Sequence, residues 1–147
     1  MASADATALC SIQRQWEDQV TGAPVVSIVD DDQSVRDGIV DLVRAMGFDV
    51  QAFERAEYFL QSDDVDRTCC LITDVRMHGM TGLELHDRLV ESGRRIPTIV
   101  ITAFVKESDR ERARQAGVLC YLAKPFDERQ LVGCITSALG SGAAREG

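Results

Sequence analysis

From Val25 onward the chain alternates between two hydrophobic periods. Runs of strand length, VVSIV (25–29), DVQAF (49–53), CCLIT (69–73), TIVIT (98–102) and GVLCYL (117–122), are separated by stretches whose apolar positions recur every three or four residues. Three of the runs are apolar almost throughout, which suits central strands covered on both faces. Between them, Val35, Ile39, Leu42, Val43 and Met46 fall on one helical stripe and Leu85 with Leu89 on another. The last stripe is Leu131, Cys134, Ile135, Ala138 and Leu139. Gly47, Gly93 and Gly117 follow periodic stretches where C-terminal caps are wanted. Five repeats of strand then helix predict a parallel sheet with helices on both faces. The folded unit is residues 24–140. A polar extension (1–23), with a short helix expected around Ile12 and Trp16, precedes it, and a flexible tail (141–147) follows.

Composition narrows the function classes. The 147 residues carry 24 acidic against 16 basic side chains, a formal charge of -8, so a nucleic-acid-binding surface covering the domain lacks its electrostatic footprint. No apolar run approaches the roughly 18 residues that cross a bilayer, and the polar start resembles no secretory leader, so no membrane partner and a cytoplasmic location are expected. Five cysteines (Cys10, Cys69, Cys70, Cys120, Cys134) show no ligand-like spacing and are expected as free thiols. As strand neighbours, Cys69 and Cys70 are expected on opposite faces.

The chemistry collects at strand ends. The first run ends in Asp30-Asp31-Asp32 and the third in Asp74; the fourth ends in Thr102, and the fifth leads to Lys124-Pro125. In an open doubly wound sheet, the loops beyond the carboxyl ends of the strands form the ligand crevice. If the first and third strands are neighbours, the aspartates converge, and carboxylates that close must be protonated or share a cation. All-oxygen ligands favour a hard ion such as Mg²⁺. A carboxylate nucleophile, a metal, a lysine and a hydroxyl donor are what phosphoryl transfer requires, with Asp74 as nucleophile.

The stretches VSIVDDDQSVRDGIVDLVRAMGF, LITDVRMHGMTGLEL, IPTIVITAF and GVLCYLAKPF together resemble the receiver domain of two-component response regulators, in the FixJ/LuxR-type branch. The resemblance spans residues 24–140. It implies a flavodoxin-like α/β fold with strand order 2-1-3-4-5 and an aspartate phosphorylated by a sensor histidine kinase. Carried over by position, Asp74 is the phospho-acceptor, Asp31 a direct Mg²⁺ ligand, and Asp30 a ligand through water. The main-chain carbonyl of Arg76 is a further ligand. Thr102 holds the phosphoryl group, Lys124 pairs with it, and Tyr121 is the aromatic switch residue. The Lys124-Pro125 peptide is expected to be cis. The surface of the fourth helix, fifth strand and fifth helix is the expected output face, contacting a downstream protein or phosphotransfer partner, or a second copy on phosphorylation. With no effector segment after residue 140, a stand-alone receiver is expected.

Several residues have plainer readings or depart from the family pattern. Asp32 is expected to cap the first helix. Met77 and Met80 read as filler, and His86 is expected on the exposed side of the third helix. The run KESDRERARQAG (106–117) reads as a solvated face or a local basic patch. His78 stands where the family usually has proline, which loosens the loop before Gly79 and adds a group titrating near neutrality. Arg76 and Phe104 sit where the family controls water access, and both are large, so slow to moderate autodephosphorylation is expected. Two rivals remain: a haloacid-dehalogenase-like Mg²⁺ phosphatase with Asp30 as nucleophile and Asp32 as acid/base, and a receiver-like binding module that signals without phosphorylation.

Overall fold

The runs at 25–29, 69–73 and 98–102 become strands buried almost throughout because helices cover both faces, whereas 49–53 and 120–123 lie at the sheet edges and stay partly exposed. The computed structural model describes residues 24–146, with side chains through residue 140. In chain order it contains β1 (Val25–Val29), α1 (Gln33–Ala45), β2 (Asp49–Phe53), α2 (Ala56–Gln61), a short 3₁₀ turn (Val65–Arg67), β3 (Thr68–Asp74), α3 (Gly82–Glu91), β4 (Thr98–Thr102), α4 (Glu107–Ala116), β5 (Cys120–Ala123) and α5 (Glu128–Glu146). All pairings are parallel, in the order β2-β1-β3-β4-β5. This is the flavodoxin-like arrangement expected from the sequence. The helix expected around Ile12 and Trp16 lies outside the described residues, as does Cys10. The final helix is assigned through Glu146, overlapping the residues expected as a tail.

Strand alternation divides the core. Val26 and Ile28 of β1, Cys70 and Ile72 of β3, and Ile99 and Ile101 of β4 pack with Ile39 and Val43 of α1 and with Leu131, Ile135 and Ala138 of α5. On the other face, Val29 and Leu71 pack with Phe59 of α2 and with Leu85 and Leu89 of α3, while Val100 meets Ala113 of α4. Each fully buried Ile or Leu contributes about 1.5–3 kcal/mol relative to exposure, so the period-2 pattern fixes register strongly.

Three local expectations are corrected. Val25 pairs with Thr68 but Val26 with Cys70, so Cys69 is an extra residue at a register shift. It packs against the same α1/α5 cluster as Cys70 instead of the opposite face, with its thiol donating to the Val25 carbonyl at 3.3 Å. Strand β5 begins at Cys120, three residues later than the run at 117 suggests. Gly117, at φ 89°, ends α4, and the Val118 amide still bonds back to the Ala113 carbonyl. His86 is 5% exposed, not on the outer side of α3, because the buried stripe Leu85-His86-Leu89 is wider than the two leucines indicate. The thiols of Cys69, Cys70, Cys120 and Cys134 are free, and burial pushes Cys69 up to about 11. Burial, with the neighbouring Cys120 thiol, pushes Cys134 up to about 12.

Candidate phosphoryl site at the ends of the strands

Parallel register brings the strand ends to one edge. Val29 pairs with Thr73, Asp74 with Ile101, and Thr102 with Ala123, so the residues that follow emerge side by side. The Asp30 amide donates to the Phe53 carbonyl at 3.1 Å and the Lys124 amide to the Thr102 carbonyl at 2.8 Å, which continue the ladders just beyond the strands. Ligand oxygens of Asp30, Asp31 and Asp74 lie within 4.8 Å of one another. Lys124 Nζ bridges two of them, at 2.9 Å from Asp30 Oδ2 and 3.1 Å from Asp74 Oδ2. Its peptide to Pro125 is cis, as expected.

Burial and charge work against each other here. Burial raises the Asp74 carboxyl above its ordinary value; the Asp30 charge adds to the rise, and Lys124 opposes it. Burial disfavours the Lys124 ammonium, but its hydrogen bonds and attraction to Asp30 and Asp74 outweigh this and leave its pKa raised. Asp74 Oδ1 is buried without a hydrogen-bond partner. An orphaned acceptor among three carboxylates fits a hard divalent cation, the group that supplies the missing charge.

Asp30 is held more tightly than its sequence position suggests. Its Oδ1 accepts from the Asp32 amide at 2.9 Å, and its carbonyl accepts from Arg36 Nη1 at 2.7 Å. Asp31 is exposed, with His78 Nδ1 3.4 Å from its Oδ2. His78 therefore touches the candidate ligand set, beyond its reading as a loop modifier. Asp32 caps α1 through the Val35 amide, as expected. Thr102 is fully buried, and its hydroxyl is tied to Phe104, accepting from the amide at 3.1 Å. Phe104 itself is 66% exposed. The Arg76 side chain turns away from the carboxylates to pair with Asp109 at 2.9 Å. Tyr121 lies under Arg110, with the guanidinium 5.5 Å from the ring centre and its own hydroxyl buried. Of the arginines in the expected basic patch, Arg112 pairs with Asp87 and Arg114 with Glu111, so the charge there is largely neutralised.

Two supports were not legible in the sequence. Glu57 Oε2, at the start of α2, accepts from the Met80 amide at 3.1 Å and clamps the loop after Asp74. Gly82 lies so close to Asp74 that an added Cβ falls 2.0 Å from its carbonyl oxygen. Thr81 and Glu84 form a reciprocal capping box at this end of α3, a signal present in the sequence as Thr81-x-x-Glu84.

Residues 26–136 match the family model of the response regulator receiver domain. This chain belongs to that family. The receiver is 40% identical over 119 residues to the response regulator protein TodT of Pseudomonas putida, covering 80% of this chain and 52% of that protein. It is 34% identical over 119 residues to the transcriptional regulatory protein FixJ of Azorhizobium caulinodans, covering 80% and 56%. The chain thus spans about half the length of the curated relatives it matches. Among solved structures, the response regulator StyR superposes with a TM-score of 0.74 at 40% identity, covering 84% of this chain and 62% of that one. The structure titled FixJ-N gives 0.71 at 33%, covering 81% and 95%. A receiver is a phosphoacceptor signalling module, not a conventional enzyme, and its family implies a cognate histidine kinase. The phosphatase alternative fails on this membership and on Asp32, whose carboxylate is occupied as a helix cap.

Proposed function

We propose that this receiver takes a phosphoryl group onto Asp74 from a phosphohistidine of a sensor kinase. The observation that carries the reading is the Lys124 ammonium 3.1 Å from Asp74 Oδ2 and 2.9 Å from Asp30 Oδ2, beside the unpartnered Asp74 Oδ1. An Asp74 oxygen attacks phosphorus, the P–N bond to the donor imidazole breaks, and the nitrogen leaves with its electron pair. Lys124 faces the charge that builds on the phosphoryl oxygens, and burial of Asp74 strengthens that pairing. Asp31, Asp74 and the Arg76 main-chain carbonyl would hold Mg²⁺, with Asp30 through water. When bound, Mg²⁺ neutralises the carboxylate cluster and the phosphoryl group.

The switch follows from one hydroxyl. Thr102 Oγ1 is occupied by Phe104 in the resting geometry and must leave that contact to reach a phosphoryl oxygen. Its movement vacates space beside Tyr121, and the face of α4, β5 and α5 changes shape. The output is a protein contact, either a downstream or phosphotransfer partner or a second copy; the charge of -8 speaks against direct nucleic-acid binding. The reading includes a cytoplasmic location; among the described residues no helix is long and apolar enough to cross a membrane.

The test is incubation with acetyl phosphate and Mg²⁺ followed by mapping of the modified residue. Label is expected on Asp74 alone and absent in Asp74→Asn; label on Asp30, or none in the wild type, overturns the proposal.

A further inference from the structure

The end of the sheet remote from Asp74 carries a cleft of about 760 Å³, within the usual range for small-molecule sites. Its walls include His86 and Val90 of α3, Arg95, Ile96 and Pro97 of the connection to β4, and Leu119 before β5. Three features make it more than a surface hollow. Val90 and Leu119 are 53% and 40% exposed, an uncovered apolar pair on opposite elements. His86 is 5% exposed and its Nδ1 is buried with no hydrogen-bond partner. Arg95 is exposed and has no ion pair or hydrogen bond among the described residues, in a chain of net charge -8.

The neighbouring groups are already satisfied. Arg94 is engaged, with Nε 2.9 Å from Asp66 Oδ1 and Nη1 3.0 Å from Ser92 Oγ. Several carbonyls near the ends of α3 and α4 are taken up by caps: Leu89 by the Arg94 amide, Val90 by Gly93, Ala113 by Val118 and Arg114 by Gly117. Among the described residues lining this cleft, Arg95 is therefore the cation without a partner. Burial lowers the His86 pKa and keeps the ring neutral, so it carries one N–H. A sealed bare acceptor is tolerated better than a sealed donor, so the proton belongs on Nε2, the nitrogen left to serve the cleft.

We propose that this cleft binds a small organic carboxylate with an apolar body. Arg95 pairs with the carboxylate, His86 Nε2–H donates to it, and Val90, Ile96, Pro97 and Leu119 enclose the apolar part. The site lies at the opposite end of the sheet from Asp74 and shares no residue with the phosphoryl site.

The experiment is a ¹H–¹⁵N NMR titration of the full chain with three probes: benzoate, its neutral analogue benzamide, and acetate, which lacks the apolar body. Benzoate is expected to give saturable shifts centred on residues 86–97 and 116–119. Benzamide and acetate are each expected to bind at least about tenfold more weakly. Arg95→Gln, an exposed change, is expected to weaken benzoate by about tenfold with the rest of the spectrum unaltered. His86→Leu, which removes the orphaned nitrogen, is expected to keep the fold and also weaken benzoate. Equal binding of benzamide, an unchanged affinity in Arg95→Gln, shifts centred on Asp30 and Asp74, or shifts that never saturate would each overturn the proposal.

Discussion

At the scale of the residue, Asp74 carries an electrostatic cost. Its carboxyl is raised in the fold by burial and by Asp30, so the sign of its contribution to stability is fixed. The contribution is fully present below the ordinary value of 3.8 and is lost as pH rises through the raised value. Asp74→Asn is therefore expected to match wild type in metal-free buffer at the acid end and to become the more stable protein as pH rises, seen as a widening gap in urea midpoints. Among the described residues Lys124 is the one cation bonded to both carboxylates, so Lys124→Met should raise the Asp74 pKa further and suppress phosphorylation; a ¹³C carboxyl titration by NMR reads the first effect. The strand-end residues Asp30, Asp31, Asp74, Thr102 and Lys124 were legible from sequence because a strand's end is a one-dimensional fact. Glu57 was not, since its contact to Met80 crosses 23 positions and depends on how α2 lies over the loop.

At the scale of the element, the loop between β3 and α3 is held at both ends. Gly82 sits where a Cβ would lie 2.0 Å from the Asp74 carbonyl oxygen and 3.0 Å from its carbonyl carbon, backbone atoms with no room to rotate away. Gly82→Ala is expected to cost about 3 kcal/mol by urea denaturation and to impair phosphorylation through displacement of Asp74. Thr81→Ala removes the capping box of α3 and should cost only about 1 kcal/mol, with phosphorylation largely intact. The two neighbouring substitutions thus separate geometry at the acceptor from simple helix stability. Element types and order followed from hydrophobic period alone, since burial on two faces leaves a distinct pattern in the chain. The bulge at Cys69 and the buried His86 did not, because both depend on which neighbours pack against an element, not on the element's own period.

For the whole molecule, three carboxylates at one edge are expected to make stability depend on a bound cation. Mg²⁺ at a hundred times its dissociation constant is expected to add about 2.7 kcal/mol to unfolding, measured as the urea midpoint with Mg²⁺ against a chelator. Asp31→Asn, at the exposed member of the set, should remove most of that increment. The sequence by itself determined the strand-helix alternation, the parallel sheet and the aspartates, threonine and lysine that reach its carboxyl edge. These follow from periodicity and from residue chemistry at strand ends, which are local properties. Only the tertiary structure decided that Lys124 spans Asp30 and Asp74, that Arg76 and three of the α4 arginines are engaged by neighbouring acids or an aromatic ring, and that His86 is enclosed beside a free Arg95. Those are contacts between segments distant in the chain, set by the packing of whole helices on a sheet, and no local pattern encodes them.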